Sequence, residues 1–232
     1  LFRAGLHNEI RSVGKLASFL GLSGRIRPSD TQIGLASQVL DTCPSLLERS
    51  AAWKQCDPAQ PGWRHWFGTA LPEKLLRTRY RRFTRSVGDL GYHPGVWMIA
   101  AASFCPLSFE EIWSACPACG AKLTWTTAHE IDECPRCGAA FSDQEAATLH
   151  SSLRQSYAGA FELVDPDPIK RRRALMRLPT AFAGLEAGEA FCTLMSLAGA
   201  LRGLSRAKAG AERPFKDARR YDAPEPEDIA EA

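Results

Sequence analysis

Four of the eight cysteines in this 232-residue chain stand in two copies of one short unit, Cys116-Pro-Ala-Cys119-Gly and Cys134-Pro-Arg-Cys137-Gly, with fourteen residues between Cys119 and Cys134. A Cys-x-x-Cys turn aims two sulfurs at a single point. The proline stiffens the turn, and the glycine after the second cysteine permits a left-handed backbone there. Two such turns supply four ligands, Cys116, Cys119, Cys134 and Cys137, which suits Zn²⁺ held tetrahedrally by thiolates at about 2.3 Å. A four-thiolate site is closed and has no position for a reacting water, so this zinc is expected to be structural. A pair of redox dithiols is the competing reading; the proline and glycine shared by both units favour metal. His129 lies in the spacer and reads as a surface loop residue, because four thiols already suffice. Cys43, Cys56, Cys105 and Cys192 are scattered. That placement suggests metal binding in a reducing compartment, the cytoplasm, rather than a disulfide framework.

Arginine is the second residue type with chemistry to offer. "RTRYRRFTR" places Arg77, Arg79, Arg81, Arg82 and Arg85 within nine residues. If "EKLLRTRYRRFTRSVG" is a helix, Arg77, Arg81 and Arg85 fall on one side at four-residue steps, with Arg82 close by. Such a face can hold nucleic-acid phosphates without reading base sequence. The alternative is a solvated helix face with Tyr80 and Phe83 in the core. A second cluster, Lys170, Arg171, Arg172 and Arg173, sits in "DPDPIKRRR", which reads as a linker at a loop-to-helix boundary, either reaching a groove or simply exposed. Catalysis finds little support. There is no Ser-His-Asp signature, phosphate-cradling glycine loop or HExxH, and the five histidines are dispersed. A metal-dependent nuclease would need an acidic cluster that the sequence does not show. The expectation is a binding protein and not an enzyme.

The elements that must position these residues are mostly helical. Hydrophobic residues make up 45% and charged residues 24%, enough for a sizeable core, and the net charge is only +3. No apolar run approaches the roughly 20 residues that span a bilayer, and the first residues lack the apolar stretch of a signal peptide. Leu6, Ile10, Val13, Ala17 and Leu20 form one helical stripe. Ser29 and Gln32 have capping-box spacing at the start of a second helix, and a third follows Pro44; residues 29–54 can be drawn as a helix-turn-helix. Residues 57–72 are rich in Pro and Gly and read as loop. "AKLTWTT", with Leu123 and Trp125 alternating, reads as a strand to which "AAFSD" returns. Ser142 and Glu145 suggest a helix running through about Tyr157, and another is expected from Ala187 to about Leu204. The tail from Gly210 has little to bury and reads as disordered. The expected fold is mainly α with a small central β zinc ribbon: an N-terminal helical region with a basic helix (1–91), the ribbon module (92–142), a C-terminal helical region (143–208) and an acidic, proline-containing tail (209–232).

Around the ribbon the sequence resembles the TniQ family, proteins that help bacterial transposons choose where to insert. Tyr92, Trp97, Cys105-Pro106, Cys116 to Gly120, Leu123-Thr124-Trp125 and Cys134 to Gly138 fit the family's slots in order, over about fifty residues. The family pattern has an earlier zinc site, built from an upstream Cys-x-x-Cys and a Cys-x-x-His. Here the histidine slot is Ser108 and no upstream cysteine pair exists. The resemblance therefore implies a divergent member that keeps one of two zinc sites, with Cys105 left as a buried thiol. It also implies a DNA-associated adaptor in transposition target selection, whose partners are DNA and an AAA+ ATPase regulator of the transposase. A zinc-ribbon scaffold that binds only protein is the alternative.

Overall fold

The computed structural model describes residues 62–77, 80–91, 93–124, 130–208 and 224–231, together with Gly34, Ser37 and Gln38. Of the helices expected before residue 57 only Gly34, Ser37 and Gln38 are described, and these three are helical; the rest of those helices, as well as Arg79, Tyr92, Trp125 and His129, lie outside the described residues. Among those described there are five α-helices and a single two-stranded sheet. No described helix is long and apolar enough to cross a membrane.

The sheet lies in the stretch that reads as loop. Strands β1 (Trp63–Trp66) and β2 (Thr69–Pro72) pair antiparallel, from Trp63 opposite Pro72 to Trp66 opposite Thr69. Phe67 and Gly68 make the turn, with φ of 45° and 86°. Two consecutive positive φ values fit the twist of a tight hairpin, and glycine at the second position eases it. The indole nitrogen of Trp66 donates to Val164 O at 2.8 Å, tying the hairpin to the C-terminal half.

The arginine-dense stretch is not a helix. After a 3₁₀ turn at Glu73–Leu75 no described residue up to Ser86 is helical, and among the described residues from 62 to 91 the only α-helix is α1 (Val87–Leu90). The backbone groups an i, i+4 ladder would need are taken by distant partners. Arg77 N donates to Met98 O, Arg81 N to Leu123 O, and Phe83 exchanges two bonds with Trp113. These pairings put Leu76 and Phe83 in the same core as Cys116 and Cys134. Phe83 stacks on Phe141 with centroids 3.9 Å apart and meets Trp113 edge-on.

The helix expected from Ser142 starts later. Residues 147–149 are held extended: Glu111 N donates to Ala147 O, and Leu149 N to Phe109 O. Helix α2 (Arg154–Glu162) follows a 3₁₀ turn at Ser151–Leu153, and its buried Tyr157 hydroxyl donates to Phe104 O. The supposed linker is α3 (Pro168–Arg177). Asp167 caps it by accepting from Ile169 N at 2.8 Å, and Pro168 occupies its first turn, where a missing N–H costs nothing.

Helix α4 (Ala187–Lys208) matches the last helix read from the sequence. Near its start, Gly188 N donates to Thr69 Oγ1, and a Cβ at Gly188 would lie 2.1 Å from Ala70 O. Part of the tail is also ordered into α5 (Pro226–Glu231), which packs against α2 and α4 and buries Ile229. Pro224 and Pro226 are buried beside it, and these apolar side chains are what the compositional reading overlooked.

Candidate metal centre

The two cysteine units form matching backbone turns. Cys116 N donates to Ala121 O and Gly120 N to Cys116 O; Cys134 N donates to Ala139 O and Gly138 N to Cys134 O. Each turn is closed by an isolated bridge, Ala115 with Lys122 and Glu133 with Ala140. Gly120 and Gly138 have φ of 69° and 70°, the left-handed conformation that favours glycine. Among the described residues each unit pairs with itself and forms a self-closed knuckle; Trp125 to Thr127 of the strand expected from "AKLTWTT" lie outside them.

The knuckles bring four sulfurs together. All four Sγ atoms lie within 4.8 Å of one another. Cys116 Sγ is 3.8 Å from Cys137 Sγ, and Cys119 Sγ is 3.8 Å from Cys134 Sγ. A disulfide needs about 2.05 Å, whereas the edge of a tetrahedron with 2.3 Å metal–sulfur bonds is about 3.8 Å. The four cysteines therefore fit a metal ion and not a disulfide pair. Burial pushes the Cys116 thiol up to about 12 although the amides of Cys119 and Ala118 favour its thiolate. At Cys134 burial acts in the same direction, but the amides of Cys137 and Arg136 outweigh it and bring the thiol to about 7. Amides aimed at sulfur prepare thiolate ligands, and a bound cation completes their deprotonation.

Arg81 braces the second knuckle from inside. Its guanidinium donates to Glu130 O at 3.0 Å, Ile131 O at 3.4 Å and Glu133 O at 3.3 Å, and only 1% of the residue is exposed. Arg82 does the same for the next loop, donating to Trp97 O at 2.8 Å, Ile99 O at 2.6 Å and Ala102 O. Burial lowers both guanidinium pKa values to about 10, which leaves them charged at neutral pH. These two residues, expected to face phosphate, are instead internal braces. The correction has a physical cause: loop carbonyls that pair with no strand need buried donors, and neighbouring side chains on extended chain leave on opposite sides.

The rest of the basic set divides. Arg77 is exposed. Arg85 is half-exposed and ion-paired with Glu110 at 3.3 Å. Arg171 is turned inward and donates to Asp165 O and Pro166 O at 2.6 and 3.0 Å, which removes it from any surface role. Lys170, Arg172 and Arg173 face outward on α3.

A third knuckle turn is present without ligands. Cys105 N donates to Glu110 O, Phe109 N donates to Cys105 O, and Phe104 bridges Glu111, the same pattern one turn earlier in the chain. Phe109 takes the glycine position with φ of 60°. Cys105 is completely buried. Ser108, at the second ligand position, donates instead to Glu110 Oε2 at 3.4 Å, and the same oxygen accepts from Ser86 Oγ at 2.5 Å and Ser86 N at 3.2 Å. Burial would raise the Glu110 carboxyl, but the Ser86 bonds and Arg85 outweigh it and hold it below its ordinary value. The signal that could have found its role is Cys105-Pro106 itself, a knuckle opening with a carboxylate five residues on.

No family model matches the chain, and no curated protein matches it.

Proposed function

We propose that the chain is a non-catalytic adaptor braced by one structural zinc ion, acting with DNA in transposition target selection as its TniQ-like motif implies. The convergence of Cys116, Cys119, Cys134 and Cys137 at tetrahedral sulfur spacing carries this reading. Zinc suits an all-thiolate tetrahedral set. With four protein ligands the ion serves to hold two knuckles together, and those knuckles organise the core around Phe83, Trp113 and Phe141.

With Arg81 and Arg82 inside, phosphate contact falls to outward cations on the knuckle unit. Arg77 and Arg85 remain from the first cluster, joined by exposed Lys122 and Arg136. Zinc analysis of the purified chain tests the first part, with one equivalent expected. Duplex DNA binding across a salt series tests the second. The logarithm of affinity should fall with that of salt by about 0.9 per phosphate engaged, and R77E/R136E should flatten the slope. A salt-independent or absent DNA complex would leave the protein-only scaffold. That second reading is favoured by Ile169 and Met176, two strongly exposed apolar residues among the cations of α3.

A further inference from the structure

Helix α3 carries Lys170, Arg171, Arg172, Arg173 and Arg177 and no acidic residue. Its circumference is divided cleanly. Arg171 and Ala174 face the core. Lys170 is paired with Asp165 at 3.2 Å, and Arg177 with Glu162. Ile169, Arg172, Arg173 and Met176 follow i, i+3, i+4, i+7 spacing, which confines them to about 100° of the helix directly opposite the buried face. All four are exposed, Ile169 at 60% and Met176 at 73%. Neither Arg172 nor Arg173 has a carboxylate partner among the described residues. Beside them a shallow hollow is lined by Glu162, Lys170, Arg173, Met176 and Arg177.

We propose that this face is a docking surface for an acidic amphipathic helix of a partner protein, which sets apolar side chains on Ile169 and Met176 and carboxylates on the two arginines between them. The proposal rests on the adaptor reading and names the surface by which the adaptor recruits. Charge complementarity sets the sign of the partner, since arginine holds carboxylate bidentately. The apolar pair decides against a nucleic acid: a phosphate backbone offers Ile169 and Met176 nothing to bury against, whereas an amphipathic helix read at i and i+7 does.

The probe is a fluorescein-labelled stapled helical peptide with Leu at i and i+7 and Glu at i+3 and i+4, titrated into the full chain. Saturable binding is expected. R172E/R173E should weaken it about tenfold or more, and I169S/M176S about fivefold or more, while I169S/M176S leaves duplex DNA affinity unchanged. Circular dichroism and zinc content of both variants must match the parent, which these outward side chains allow. Absence of saturable binding overturns the proposal, as does binding indifferent to I169S/M176S. Displacement of the peptide by duplex DNA or by phosphatidylserine vesicles would assign the face to phosphate instead. Failure of DNA binding in R77E/R136E alone concerns the DNA reading and leaves this surface standing.

Discussion

Among the described residues one backbone turn occurs three times and is held in two different ways. At residues 116–120 and 134–138 it presents two thiols to a common point; at 105–109 it presents a buried thiol and a serine. The metal-capable copies place glycine at the left-handed position, and the third places Phe109 there. Where the second sulfur is absent, the Glu110 carboxylate gathers Ser86, Ser108 and Arg85. The comparison separates geometry from ligation. The hydrogen bonds define the knuckle, and the cross-link that fixes it to the rest of the fold can be an ion or a carboxylate hub.

The largest effect should come from removing the cross-link at the thiolate site. Chelation, or C116S, should abolish zinc binding and cost on the order of 5 kcal/mol or more, read as loss of metal and of cooperative unfolding; the 105–109 turn, needing no ion, should retain the slower hydrogen exchange. Next come the internal braces. R81M and R82M each strand loop carbonyls and should destabilise by about 2–4 kcal/mol, with R81M also weakening zinc retention because it serves Glu130, Ile131 and Glu133, and R82M leaving it intact.

The hub itself should be worth less. E110Q should cost about 1–2 kcal/mol near neutral pH. Its sign against pH follows from the lowered carboxyl. The unfolded chain takes the proton first as pH falls, so this stabilisation is complete above the unfolded pKa, about 4.3, and is lost as pH drops through the folded value below it. E110Q should flatten that part of the acid-unfolding profile, and an unchanged profile would deny the hub. The smallest effect is expected of G120A, about 1 kcal/mol in urea unfolding, from a side chain forced into a left-handed backbone.

The metal ligands were legible because residue type and spacing together define the chemistry, and no distant partner is needed to read Cys-Pro-x-Cys-Gly. Arg81 and Arg82 were misread for the opposite reason. Their direction is set by pairings with residues 98, 113 and 123, and four-residue spacing means nothing once those pairings have drawn the chain straight. In α3 the start signal, Asp167 followed by Pro168, was present, but charge composition masked it. The hairpin escaped because Phe67-Gly68 is an unusual pair for such a turn. Glu110 could not be recognised alone, since its role exists only where Ser86 and Ser108 converge on it.

The joint between Gly188 and the β2 strand has its own consequence. A methyl group there would collide with Ala70 O, and the amide that reaches Thr69 Oγ1 depends on that closeness. The long C-terminal helix therefore seats on the hairpin through bare backbone, and even alanine would act as a spacer prising the two apart. Through the bond from Trp66 to Val164 O that loosened seat would be felt at the end of α2, with every cysteine and arginine still in place.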